Sequence, residues 1–179
     1  MDFAISRILV PVDFSPHSER ALRYATALAG RHGASVYVLH VVEDPIAAGA
    51  WSPDVDIPNL RDIQKALVEE GERKLERYRT IGEGQRVPTV TAALMGMTAQ
   101  TITEYAKNLG MDLIVMGTHG RSGLAHLFMG SVAEHVVRHA PCPVLTLREA
   151  AVGDHGESPH VAEPAVLGSA LGHLGTSRE

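Results

Sequence analysis

The chain carries one cysteine, Cys142, in 179 residues. An internal disulfide is therefore excluded, and this usage suits a reducing compartment. No apolar run approaches the ~20 residues that a membrane-spanning helix needs. No basic run stands out to neutralise a nucleic-acid backbone, and the formal net charge is −5. The first ten residues, MDFAISRILV, lack the charged n-region and cleavage site of a secretory signal. These absences set the expectation of a cytoplasmic protein with no membrane and no nucleic-acid partner. What is present is a hydrophobic content of 45%, ample for one α/β domain with a buried core.

Five apolar, β-branched runs alternate with amphipathic stretches. Strands are predicted over residues 5–12, 34–42, 87–95, 112–116 and 144–147. Helices are predicted over 16–32, 59–79, 98–109 and 131–139. Ser15 is placed to cap the first helix, Pro16 occupies its first position, and Gly33 follows its end. In the second helix Ile63, Leu67, Leu75 and Tyr78 read as inner positions. Gly71 reads as a weak spot there, costing about 1 kcal/mol relative to alanine. Residues 43–58, with three prolines and Trp51, read as a loop. Strands and helices in this alternation form βαβ units and a parallel sheet. Their nearly continuous apolar character suits a sheet covered on both faces. After Arg148 the sequence turns to Gly, Ala, Ser, Pro and His without sustained periodicity. Residues 149–179 are expected to be a flexible tail behind a domain spanning 1–148.

The fourth strand runs into Gly117-x2-Gly120-x9-Gly130-Ser131. This is not a Walker A loop, for it lacks the lysine, and it is not a dinucleotide GxGxxG. The physical ingredients are related. Small residues free backbone N–H groups, and a helix N-terminus adds its positive dipole end. Two readings of these glycines are open: turns and a helix cap alone, or a phosphate cradle. The first strand ends in Pro11-Val12-Asp13. In an open parallel sheet, ligands lie beyond the carboxyl ends of the strands where the strand order reverses. A carboxylate there can accept from ribose hydroxyls, although Asp13 could equally serve as a turn residue.

The segments ILVPVDFS (8–15), LHVV (39–42), DLIVMGTHGRSGL (112–124) and GSVAEHVVRHAPCPVLTLR (130–148) resemble the universal stress protein family, of the ATP-binding kind. The resemblance covers about the first five-sixths of the chain. It implies a Rossmann-like α/β fold, an open five-stranded parallel sheet in order 3-2-1-4-5 with helices on both faces, and a homodimer. It implies ATP as ligand; Mg²⁺ accompanying it would be held mainly by the phosphates themselves. Adenine would rest near Val41, flanked by Pro11 and Val12, with Asp13 on the ribose. Gly117, Gly120, Gly130, Ser131 and Val132 would hold phosphate, and Met116 would line the pocket. His119 and Arg121 lie in the same loop and read equally well as solvated side chains or phosphate contacts.

Other chemistry finds less support. His135 and His139 share a helix face, but the zinc-protease pattern needs Glu where Val136 stands, and no third ligand is apparent. Near the helix end His139 reads better as a dipole partner. Cys142, between two prolines, reads as a buried, inert thiol. Glu69, Glu70, Glu72 and Glu76 with Arg73, Lys74, Arg77 and Arg79 form a salt-laced solvent face. The sequence offers no evident water-activating carboxylate beside the phosphate groups. The expected function is thus an ATP-binding stress-response or regulatory protein with little or no turnover. The alternatives are a slow ATPase or nucleotide-dependent enzyme, and a dimeric scaffold with a vestigial pocket. The last strand would be a sheet edge, which suits pairing with a second copy.

Overall fold

The computed structural model describes residues 4–44, 59–118 and 129–148. Nine elements follow one another: β1 (Arg7–Pro11), α1 (Pro16–His32), β2 (Ser35–Glu43), α2 (Leu60–Gly84), β3 (Thr89–Gly96), α3 (Thr98–Asn108), β4 (Leu113–Gly117), α4 (Ser131–His139) and β5 (Val144–Leu147). The strands form one sheet in order β3-β2-β1-β4-β5, parallel at every pairing. The parallel sheet is the one expected from the alternation of elements, and its strand order is the one that the family resemblance implies.

Residue parity explains the two cores. Ile8 and Val10 of β1 and Val36 and Val38 of β2 face α1 and α2, where Leu22, Ala25, Leu75 and Tyr78 meet them. Leu9 and Leu39 face the opposite way, toward Ile102 and Ala106 of α3 and Val136 of α4. Side chains alternate across a strand, so a sheet covered on both faces must be apolar at successive positions. Ile8, Leu9 and Val10 are all fully buried.

Local signals set the helix ends. The Ser15 hydroxyl accepts from the Ser18 amide at 3.3 Å, Pro16 opens α1, and Gly33 closes it in the left-handed region at φ 66°. Strand ends differ from expectation by one or two residues. α2 departs further, running to Gly84 rather than 79. Its last turns pack closely on the strand that follows: a Cβ on Gly82 would lie 1.8 Å from the Thr89 hydroxyl oxygen. Gly71 is a contact as well, since a Cβ would meet His40 Cδ2 at 3.1 Å and Ala93 Cβ at 3.2 Å. Leu75 and Tyr78 are buried as expected, but Ile63 and Leu67 are 42% and 40% exposed. The first half of α2 overhangs a cleft, and Leu67 lines its wall.

Candidate functional site

The cleft lies at the carboxyl ends of the strands. β1 occupies the middle of the sheet, between β2 and β4, where the strand order reverses and ligands of such sheets bind. Its volume is about 590 Å³, within the range of small-molecule sites. Pro11, Val12 and Asp13 enter it from the end of β1, Val41 from β2, Met116 and Gly117 from β4, and Gly130, Ser131 and Val132 from the start of α4. Nine of the ten residues singled out in the sequence therefore share one cavity. The tenth, Gly120, lies outside the described residues, as do His119 and Arg121.

Asp13 is fixed by the turn into α1. Its Oδ1 accepts from the Ser15 amide at 3.0 Å and from the Ser15 hydroxyl at 2.6 Å. Burial alone would raise its carboxyl, but the Ser15 and Ser18 donors outweigh that, and its pKa lies below the ordinary 3.8. Asp13 is thus an anion at neutral pH, and its carboxylate acts only as an acceptor. Asp13 makes the turn expected of it and also lines the cleft. Between Asp13 and Ser15, Phe14 takes φ 65°, a left-handed conformation costing a bulky residue about 1–2 kcal/mol. Ring contacts hold it, at 4.2 Å from His40 and edge-on at 5.7 Å from Tyr78.

Val41 enters through its backbone. The β1–β2 register ends at Pro11 and Leu39, and the Val12 amide donates to the Leu39 carbonyl at 2.8 Å. In a parallel ladder alternate residues direct both backbone groups to the same neighbour. Leu39 points toward β1, and so does Val41, two residues on. There β1 has already turned away at Asp13, so the Val41 N–H and C=O face the cleft.

The opposite wall is the N-terminus of α4. Gly130 is its N-cap, with no side-chain cap bond. Its own N–H donates to the Thr118 carbonyl at 2.9 Å. A Cβ on Gly130 would sit 3.2 Å from that carbonyl. Its φ is −61°, so close approach, not a left-handed backbone, is what favours glycine. With the Gly130 amide engaged, the amides without intrahelical partners begin at Ser131 and Val132, donors of the kind that suit an anion.

Several lining residues escaped the sequence reading. His40 sits beneath the cleft, Thr118 follows Gly117, and Thr98 opens α3, where its hydroxyl donates to Glu43 at 3.2 Å. Thr98 and Thr118 share a detectable signal: each is a hydroxyl residue just past a strand's carboxyl end. Lys74 lines the α2 side, 3.4 Å from Glu70 and 5.7 Å from the Phe14 ring centre.

The remaining candidates lie elsewhere. Cys142 is half-buried rather than buried, and burial, then Asp112, push its thiol pKa up from 9.0, which disfavours the reactive thiolate. His135 and His139 lie with tilted rings, centres 4.2 Å apart, and His139 Nδ1 donates to the His135 carbonyl. Among the described residues no group of three or more His, Cys, Asp or Glu could hold a metal ion. Nor is any described helix long and apolar enough to cross a membrane.

Comparison with known proteins decides the family. The universal stress protein family model matches residues 4–148. The chain belongs to the universal stress protein family. A universal stress protein of Methanocaldococcus jannaschii is 36% identical over 146 residues, covering 80% of this chain and 82% of its own length. The solved structure of a universal stress protein from Lactobacillus plantarum superposes with a TM-score of 0.69 at 31% identity, covering 80% of this chain and 97% of that one. A universal stress protein from Archaeoglobus fulgidus, solved in complex with dAMP, superposes with a TM-score of 0.56 at 26% identity, covering 80% and 98%. Adenine-nucleotide binding thus occurs within this family on this fold.

Proposed function

We propose that the chain binds ATP in this cleft, with little or no turnover, and acts in stress response or regulation through its nucleotide occupancy. The observation that carries the reading is convergence: an ionised Asp13, the backbone edge of Val41 and the α4 N-terminus open into one cavity. Each matches a part of the ligand. A neighbouring N–H donor and C=O acceptor on Val41 complement the N1 acceptor and N6 amino donor of adenine, whereas guanine presents the opposite pair. Asp13 can accept from ribose hydroxyls. The Ser131 and Val132 amides, with Gly117 alongside, suit phosphate, and Mg²⁺ would be held mainly by the phosphates. The Archaeoglobus relative's complex with dAMP supports the adenine assignment.

Low turnover is favoured by how the cleft's carboxylates are occupied. Asp13 is held by Ser15, Glu43 accepts from Thr98, and Glu70 pairs with Arg73 and Lys74. Hydrolysis far below the ordinary enzyme median of ~10 s⁻¹ is expected. In this reading residues 1–148 are the nucleotide-binding domain, 149–179 are a tail, and the site is cytoplasmic.

Isothermal titration with ATP, beside Gly130→Asp, tests the proposal. An aspartate at this N-cap can accept from the first amides of α4 and would take the phosphate's place. The expected result is heat with the parent and at least a tenfold loss of affinity in the variant, with a cooperative thermal transition showing that the variant still folds around a Cβ 3.2 Å from the Thr118 carbonyl. No heat from the parent at high micromolar ATP would defeat the reading.

A further inference from the structure

Resting on that nucleotide reading, we propose that His40 is a positioning residue that keeps the Val41 amide available to the nucleobase. The register of the ladder carries the argument. The Ser35 amide donates to the Ser6 carbonyl at 2.9 Å, and Leu39 stands opposite Pro11. Continued by one rung, the same pattern would have the Val41 amide donate to the Val12 carbonyl. That carbonyl is instead taken by His40 Nδ1, 2.8 Å away. A carbonyl only accepts, so Nδ1 carries the proton.

The ladder thus stops one rung short of Val41, where β1 turns away at Asp13, with His40 Nδ1 on the carbonyl that the Val41 amide would otherwise take. Val12 stays within hydrogen-bond reach of β2, but its acceptor is turned to a side chain, and the Val41 donor remains directed into the cleft. The imidazole is held on its other sides. Phe14 packs on it at 4.2 Å between ring centres. Gly71 leaves it room, for a Cβ there would come within 3.1 Å of His40 Cδ2. A glycine that weakens α2 locally is thereby accounted for: it admits the ring that shapes the nucleobase edge. A purely structural histidine would require none of this register relation to Val41.

The test compares the parent chain, His40→Leu and His40→Asn. Leucine fills space without a donor, and the asparagine amide nitrogen falls near the position of Nδ1. The first readout is amide hydrogen exchange in the nucleotide-free proteins. In the parent, Val41 should exchange at least tenfold faster than Val38 of the same strand, and in His40→Leu it should slow toward the Val38 rate. The second readout is affinity for ATP and for inorganic tripolyphosphate. His40→Leu should weaken ATP about tenfold, the worth of one hydrogen bond, and leave tripolyphosphate unchanged, with His40→Asn restoring ATP to within about threefold. A Val41 amide as protected as Val38 in the parent would overturn the proposal without any variant. Equal losses for ATP and tripolyphosphate, or an asparagine variant no better than leucine, would overturn it too. A parent that binds no ATP defeats the nucleotide reading instead, and the exchange comparison still judges the role of His40.

Discussion

Replacing Asp13 with alanine removes one carboxylate that serves the fold and, in the proposed function, the ligand. The Ser15 hydrogen bonds disappear, from its amide at 3.0 Å and its hydroxyl at 2.6 Å, together with the contribution of the Ser18 donor. Ser15 is only 8% exposed, so its amide would be left nearly without water. Hydrogen bonds to charged groups contribute roughly 1.5–3 kcal/mol, and an orphaned buried donor costs a similar amount. Partial solvation of Asp13 discounts the sum, and a loss of about 2–3 kcal/mol at pH 7 is expected. With a urea slope of ~1–3 kcal/mol/M the unfolding midpoint should fall by about 1–2 M. Asp13→Asn, which retains an acceptor, should lose about half as much. The pH dependence supplies an internal control. The folded pKa lies below the ordinary 3.8, so the carboxylate's contribution is complete above that value and fades as pH falls through the lower folded one. The gap between parent and alanine variant should be full at pH 7 and narrow below pH ~4. ATP affinity should fall roughly ten- to a hundredfold from the lost ribose contacts. An alanine variant with the parent's midpoint at pH 7, or a gap that widens in acid, would refute the account.

Two glycine substitutions should differ in sign. Gly82→Ala drives a methyl into Thr89 and should destabilise by about 1–3 kcal/mol in thermal unfolding, while Gly30→Ala, whose Cβ would meet Val87 at an ordinary 3.7 Å, should stabilise by about 0.5–1 kcal/mol. A homodimer through the edge strand β5 remains a proposal with a sharp test. The Ile114 amide donates to Pro143 and the Thr118 amide to Leu147, so odd-numbered residues of β5 bind β4 while Val144 and Thr146 point outward. Thr146→Pro therefore removes an outward donor and spares the ladder; sedimentation should give a dimeric parent and a monomeric variant of unchanged fold. A dimer in both would exclude pairing through this edge.

Much of the site was legible because its signals are local. Pro11-Val12-Asp13 and Gly130-Ser131 mark a strand end and a helix start, and the resemblance to the family joined them. Less legible were contacts fixed by distant segments. Ile63 and Leu67 match the inner stripe of a helix, but periodicity cannot tell that Leu67 borders an open cleft. Gly71 reads as a flaw in a helix until His40 is seen against it. The outward face of β5 depends on a register that spacing does not contain.

Sequence alone determined the order of elements, the parallel sheet, the caps of α1 and the family, because propensity, periodicity and short motifs act over a few residues. Only the tertiary structure decided which carbonyl His40 holds, why Gly130 must be small, and where Val41 directs its amide. Those are distances between segments far apart in the chain, set when helices pack on a sheet of defined register, and no local pattern records them.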